Sequence, residues 1–204
     1  MRSASDNAAI RRLAAASFFA LAASAHAAHG ELAGIGNGRF AAFGDGIIHV
    51  TAWSAPLLAA VAVGLWCMAF PWRRAWLLPV AFAAAVAGGA YQGAGASLTP
   101  ALGTLVVATV ILLGMLVYGS RILPMVVALA IVVAFGAVHG YSHGAQAGAV
   151  PFRDYVIGAA VATLGLSIAG MALGLMLRIA SRFGMRVAGA AIAAAGLWFA
   201  FGAH

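Results

Sequence analysis

Six apolar stretches dominate the sequence, and each is close to the roughly 20 residues that a helix needs to cross a bilayer. Of the 204 residues, 65% are hydrophobic and 7% are charged, a composition that is typical of polytopic membrane proteins and leaves no room for a soluble domain. The sequence therefore predicts an all-α integral membrane protein, a six-transmembrane-helix bundle in the lipid bilayer. The predicted helices lie near 47–70, 75–93, 98–118, 122–141, 155–177 and 185–203.

The first 28 residues have the pattern of a secretory signal peptide. Three arginines precede an apolar run at 13–23, and Ala25-His26-Ala27 supplies an A-x-A cleavage motif. Cleavage there would leave a chain that begins at Ala28, or at His29 if it falls one residue later. The transmembrane domain is predicted at 29–204, and its first part, 29–46, is predicted to be a glycine-rich extracytoplasmic lead-in that folds against the bundle. The alternative is an uncleaved signal anchor. In either case the segment that follows would lie outside the cytoplasm.

Arginine carries all the positive side-chain charge outside histidine, because the chain has no lysine. With an external N-terminus, six arginines fall in cytoplasmic loops and only two in the external segments of residues 29–204. By the positive-inside rule this predicts that the N- and C-termini of the six-helix domain lie outside the cytoplasm. The arginines form no patch, so the net charge of +7 does not indicate a nucleic-acid partner. The arginines in predicted cytoplasmic loops are Arg73, Arg74, Arg121, Arg178, Arg182 and Arg186, and those in external segments are Arg39 and Arg153.

Two histidines, His139 and His143, stand four residues apart where the fourth apolar stretch ends. On a helix this spacing places both imidazoles on one face, about one turn apart, where they can share a metal ion. The predicted topology brings His29, His49 and Asp45 to the same extracytoplasmic end. Imidazoles with one carboxylate suit Ni, Co, Zn or Cu(II). Binding would weaken as the pH falls through the histidine range, because protonated imidazole has no free lone pair.

Each of these residues also has a structural interpretation. Histidines at a helix end can sit among lipid headgroups, Asp45 can be a helix N-cap, and Asp154 can be a cap or the partner of Arg153. Cys67 lies in an apolar run and is predicted to be a buried thiol. An enzyme is not expected, because the sequence shows no hydrolase, redox or phosphate-loop motif and the predicted helix centres hold no ionisable group.

Pairs of small residues four apart recur in the predicted helices and indicate close helix packing. This packing could lie within one bundle or between copies in a homo-oligomer. The pairs are Gly170 with Gly174, Ala84 with Gly88, and Gly189 with Ala193.

Two motifs make the chain resemble the HupE/UreJ family of small membrane proteins. The first family motif, roughly F-x-x-G-x-x-H-P-x-x-G-x-D-H, begins like this chain, and an apolar run ending A-V-G-L-W follows at the same distance. The second motif reads roughly H-G-H-A-H-G-x-E. The matching residues are Phe43, Gly46, His49 and Ala62 to Trp66 for the first motif, and His139, Gly140, His143 and Gly144 for the second.

The chain departs from both motifs at polar positions. Ala55 and Pro56 stand where the family has an Asp-His pair, and Tyr141 replaces the middle histidine of the second motif. In addition, Val50 stands in place of a proline, and Gln146 lies near the expected glutamate.

The resemblance implies a permease for nickel, sometimes cobalt, associated with hydrogenase and urease maturation. His49, His139 and His143 would then be metal ligands, Asp45 a ligand or the partner of one, and His29 a first contact for the arriving ion. Two alternatives remain open: a diverged membrane scaffold or accessory subunit that does not transport, and a channel for a small neutral solute. The sequence contains no nucleotide-binding domain, so coupling to ATP would require another chain.

Overall fold

The computed structural model describes residues 38–119, 123–148 and 150–201. The predicted signal peptide, His29 and His204 therefore lie outside the described residues. The described part is helical and contains no strand. Its helices are α1 (Arg39–Ala52), α2 (Ser54–Cys67), α3 (Trp72–Ala75), α4 (Leu77–Gly93), α5 (Pro100–Gly119), α6 (Met125–Gln146), α7 (Phe152–Ala180) and α8 (Gly184–Phe201).

Five helical segments of the described chain are long and apolar enough to cross a membrane. They are α3 with α4, then α5, α6, α7 and α8, and a sixth span results if α1 and α2 count together. The membrane character and the approximate count are thus confirmed. The boundaries predicted for the second, third and sixth spans agree with the structure within a few residues.

The span predicted over 47–70 is not one continuous helix. This segment is divided between α1 and α2, which meet at 79°, and Trp53 between them has an extended backbone. Pro56 gives a physical reason for the break. In a continuous helix its ring would collide with the carbonyl of Ala52 and it could donate no hydrogen bond, whereas the first turn of a new helix tolerates proline.

The predicted lead-in is helical from Arg39 onward, and this helix packs against the bundle. Helix α1 lies across the beginning of α7, and two glycines make this contact close. A Cβ at Gly46 would overlap the Tyr155 carbonyl oxygen, and one at Gly158 would overlap that of Phe43. The glycines of the segment 29–46 thus include Gly46, a residue that the packing of α1 requires.

Helix α6 continues to Gln146 rather than ending near 141, so both His139 and His143 lie within it. Helix α7 is also longer than predicted and has 29 residues. At 1.5 Å per residue it spans about 43 Å, more than the roughly 30 Å hydrocarbon core. It packs against α1, α2, α4 and α8.

Helices α4 and α6 pack most extensively, through a row of glycines on α6. The glycines are spaced by four residues, and each lies against a carbonyl of α4 so closely that a Cβ could not fit. Lipid supplies no hydrophobic driving force between helices, and small residues allow the close backbone approach that replaces it. The facing pairs are Gly136 with Phe82, Gly140 with Val86, and Gly144 with Ala90.

The predicted small-residue pairs mostly pack within the chain. Gly170 lies against the backbone of Val61 in α2, and Gly189 against that of Tyr118 in α5. Gly88 differs, because a Cβ there would meet no atom within 4 Å. The interpretation within one bundle is confirmed for the first two, and a homo-oligomer stays a prediction.

The main apolar core lies around α2, with Leu65, Trp66, Leu78, Phe82 and Leu113 among its fully buried side chains. Cys67 is buried there as predicted, and its Sγ lies 3.0 Å from the Gly64 carbonyl oxygen to which it donates.

The predicted orientation can be tested with single cysteines at the two ends of the bundle. Ser97→Cys lies at the histidine end, Arg182→Cys lies at the arginine end, and both positions are exposed. We expect a membrane-impermeant maleimide to label Ser97→Cys in cells with a permeabilised outer membrane, and Arg182→Cys only after the inner membrane is opened. The parent protein, whose Cys67 is buried, is the unlabelled control. Labelling in the opposite order would contradict the arginine-based topology.

The glycine contact predicts opposite effects for two alanine substitutions. Gly140→Ala should lower the free energy of unfolding by about 1–3 kcal/mol, because overpacking forces α6 away from the Val86 carbonyl. Gly88→Ala should leave it unchanged or raise it, because alanine favours helix and the site is open. Thermal unfolding of both variants in detergent measures the difference. Equal stability of the two would show that the α4–α6 contact is not the constraint described.

Candidate metal site

A cavity of about 460 Å³ opens between the helices at the histidine end of the bundle. All three described histidines line it, and the rest of its wall is uncharged. Other residues in the wall are Trp53, Ser54, Ala55, Pro56, Leu98, Thr99, Gly103, Val106, Val107, Ser142, Gln146 and Phe199.

His49 reaches the cavity from the last turn of α1. Its ring meets the ring of His143 edge-on, with 4.9 Å between the centroids. The Trp53 ring stacks on it at 5.8 Å, and the Tyr155 ring lies 5.9 Å away. The predicted convergence of His49 with His143 is therefore present, and aromatic rings hold His49 on two sides.

His139 and His143 lie on one face of α6, as their spacing predicted. Each is followed directly by one of the glycines, Gly140 and Gly144, that contact α4. Adjacent residues of a helix point about 100° apart, so the glycines face α4 while the histidines face the cavity. Only 1% of His139 and 2% of His143 is exposed.

His139 extends far into the bundle. Its Nε2 lies 2.8 Å from the hydroxyl of Thr109, which is midway along α5. The imidazole of His139 thus reaches the middle of a neighbouring helix, although His139 itself lies in the second half of α6.

Two buried ring nitrogens have no partner among the described residues, His139 Nδ1 and His143 Nδ1. Buried polar atoms are almost always hydrogen-bonded, so an exception calls for a physical reason. A nitrogen lone pair beside a cavity can accept a metal ion, which supplies one such reason.

The imidazoles in the cavity lie close to one another in pairs, and they do not form a complete set of ligands around one point. Within 38–119, 123–148 and 150–201, no three His, Cys, Asp or Glu side chains are close enough to hold one ion. His49 contacts His143, and His143 is one turn from His139 on α6. A site with three of these ligands stays a prediction.

The carboxylates have different positions from those expected. Asp45 lies inside α1, one turn before His49, so the N-cap alternative is wrong and the two share a helix face. Asp45 does not line the cavity, but it is near enough to Tyr155 to interact electrostatically. Asp154 binds Arg39 at 3.1 Å, which corrects the expected pairing with Arg153.

Sequence reasoning missed Thr109 and Tyr155. Thr109 has the single polar side chain in the run 105–117, a signal that was available. It is a weak one, because a threonine hydroxyl can bond a carbonyl of its own helix. Tyr155 packs beside His49, and its hydroxyl donates a hydrogen bond to the His143 carbonyl oxygen at 3.4 Å. These contacts join different helices, so no pattern within one stretch of sequence predicts them.

A known family and a curated relative match this sequence over most of its length. The sequence model of the HupE / UreJ protein family matches residues 14–199. Protein HupE of Rhizobium leguminosarum bv. viciae is 34% identical over 184 residues, which cover 87% of this chain and 90% of that protein. No solved structure matches. Both the extent of the family match and the identity to this relative show that the chain belongs to the HupE/UreJ family.

Proposed function

We propose that this protein binds a divalent transition metal ion, nickel in the first place, in the histidine-lined cavity and transports it inward across the bacterial inner membrane. The metal ion is the cargo. The observation that carries the proposal is that His139 and His143, each with a buried Nδ1 that has no partner among the described residues, line one cavity together with His49. Family membership supports it.

The three imidazoles suggest an order of contact. His49 belongs to the half-buried surface of α1 at the end of the bundle, His143 adjoins it, and His139 reaches the middle of α5. An ion could thus exchange one imidazole ligand at a time while moving toward the centre. Asp45, one turn from His49, would attract a cation to this end, and His29 would make the first contact.

Binding requires no charged wall. Neutral imidazole is a good ligand for nickel, cobalt, zinc and copper, and water can complete the coordination that two protein ligands begin. The loss of the family's Asp-His pair at Ala55 and Pro56 removes donors from this wall, since both residues line the cavity.

Calorimetry of the purified protein with Ni(II), Co(II), Zn(II) and Cu(II) tests the cavity as a metal site. The double substitution His139→Ala/His143→Ala should weaken binding by more than about 100-fold, because loss of a ligand's outer partner alone costs 10–100-fold. Tyr141→Ala is the matched control: it removes an aromatic ring from α6 between the two histidines, at a position outside the cavity wall. Undiminished binding in the double variant would place the metal elsewhere.

Transport needs a separate measurement. Proteoliposomes of known orientation should accumulate radioactive nickel when the histidine end faces outward, and the double variant should not. Unchanged nickel uptake by the folded double variant would contradict the proposed transport through the histidine-lined cavity.

A non-transporting scaffold or accessory subunit is the second candidate. The finding that no three potential ligands converge within the described residues favours it. It predicts a folded protein that binds none of the four metals in the calorimetric experiment. A channel for a small neutral solute would give the same result, and solute-dependent swelling of the proteoliposomes would identify it.

A further inference from the structure

Thr109 makes two hydrogen bonds that compete for one proton. Its Oγ1 lies 2.7 Å from the carbonyl oxygen of Val106 and 2.8 Å from Nε2 of His139. All three groups are buried, because Thr109 is 5% and His139 1% exposed. Water therefore has little access to this short chain of polar atoms.

The donors can be assigned by counting protons. A carbonyl oxygen can only accept, so an oxygen pair at 2.7 Å requires the Thr109 hydroxyl proton to point at Val106. The hydroxyl has no second proton, and it must accept the other bond. With the hydroxyl proton assigned to Val106 in this way, His139 donates from Nε2, and its Nδ1 is unprotonated in the neutral ring.

We propose that Thr109 is a positioning residue that holds His139 in the Nε2–H tautomer and so presents its Nδ1 lone pair to the metal ion. The inference rests on the proposed function. It adds to that function the ring nitrogen that would bind the metal ion, Nδ1 of His139, and the residue that selects this nitrogen, Thr109. Metal-binding histidines usually donate their other ring nitrogen to a fixed acceptor, which sets the tautomer and the ring orientation.

Two further observations fit this role. Nδ1 of His139 is the ring nitrogen that has no partner among the described residues, as a lone pair kept for an ion would be. The Phe82 ring from α4 lies edge-on at 6.2 Å and offers no competing acceptor. Thr109 itself does not line the cavity, so it acts through His139 and not as a ligand.

Thr163 provides a matched control. It is also buried, at 2% exposed, and its hydroxyl also donates to a carbonyl of its own helix, that of Ala159 at 2.8 Å. It is not among the residues that line the cavity. Replacing either threonine by valine removes a buried hydroxyl at nearly constant volume, but only Thr109→Val removes the acceptor from His139.

The experiment combines nitrogen NMR with nickel binding. Full-length protein labelled with ¹⁵N-histidine, metal-free and at a pH where the imidazoles are neutral, reports the tautomer, and His139→Ala identifies the signal. We expect the Nε2–H form in the parent and in Thr109→Ser, and a mixture of tautomers in Thr109→Val. Nickel affinity should fall about 10-fold or more in Thr109→Val, and it should be retained in Thr109→Ser and Thr163→Val.

Several results would overturn the assignment. These are an Nδ1–H tautomer in the parent, an unchanged tautomer in Thr109→Val, or an equal loss of nickel affinity in Thr163→Val, which would point to a general packing effect. The tautomer is read without metal, so it separates this inference from the proposed function. A parent protein with the expected tautomer and no affinity for Ni(II) would contradict the metal function and leave the positioning by Thr109 supported.

Discussion

The close contact between the backbones of α4 and α6 determines the geometry of the cavity. In this contact Gly140 and Gly144 lie against α4 carbonyls, and each directly follows a histidine. The rotation of α6 about its axis is fixed by the glycines, and that rotation places His139 and His143 in the wall of the cavity. A His-Gly pair repeated after four residues therefore sets both how near two helices approach and where two imidazoles point. Larger residues at the glycine positions would therefore change the distance between α4 and α6 and the direction of the two imidazoles at the same time.

The break before α2 has a comparable effect on the third imidazole. Without the turn at Trp53, α1 would continue along the axis of α2 and could not lie across the start of α7. With the turn, the last residues of α1 come beside α6, and His49 meets His143. The Arg39–Asp154 ion pair joins the first turn of α1 to the first turn of α7 and supports the same arrangement. Pro56 thus contributes to the site through backbone geometry although it offers no ligand.

Most of the bundle could be predicted from the sequence because apolar length is a local property. The end of α6 was predicted too early, since Tyr141, Ser142 and Gln146 resemble a loop, whereas a helix packed inside a protein accommodates polar side chains. The start of α1 at Arg39, before the predicted start at residue 47, was not predicted, because glycine lowers helix propensity, and here contact with α7 outweighs that preference. For the site, the spacing of His139 and His143 was sufficient to predict a shared face. The depth of His139 and its bond to Thr109 depend on the stagger of α5 against α6, which no single segment encodes.

The uncharged wall of the cavity has a kinetic consequence. Asp154 is occupied by Arg39, and none of the described residues that line the cavity is acidic. Under the proposed function, a dication held by neutral nitrogens would lose less Coulomb energy on departure than one held by carboxylates, which would shorten its residence time in the cavity. Passage through a membrane requires occupancy that is favourable but brief. The scarcity of acidic ligands that weakens this cavity as a storage site would accordingly favour rapid turnover of ions passing through it.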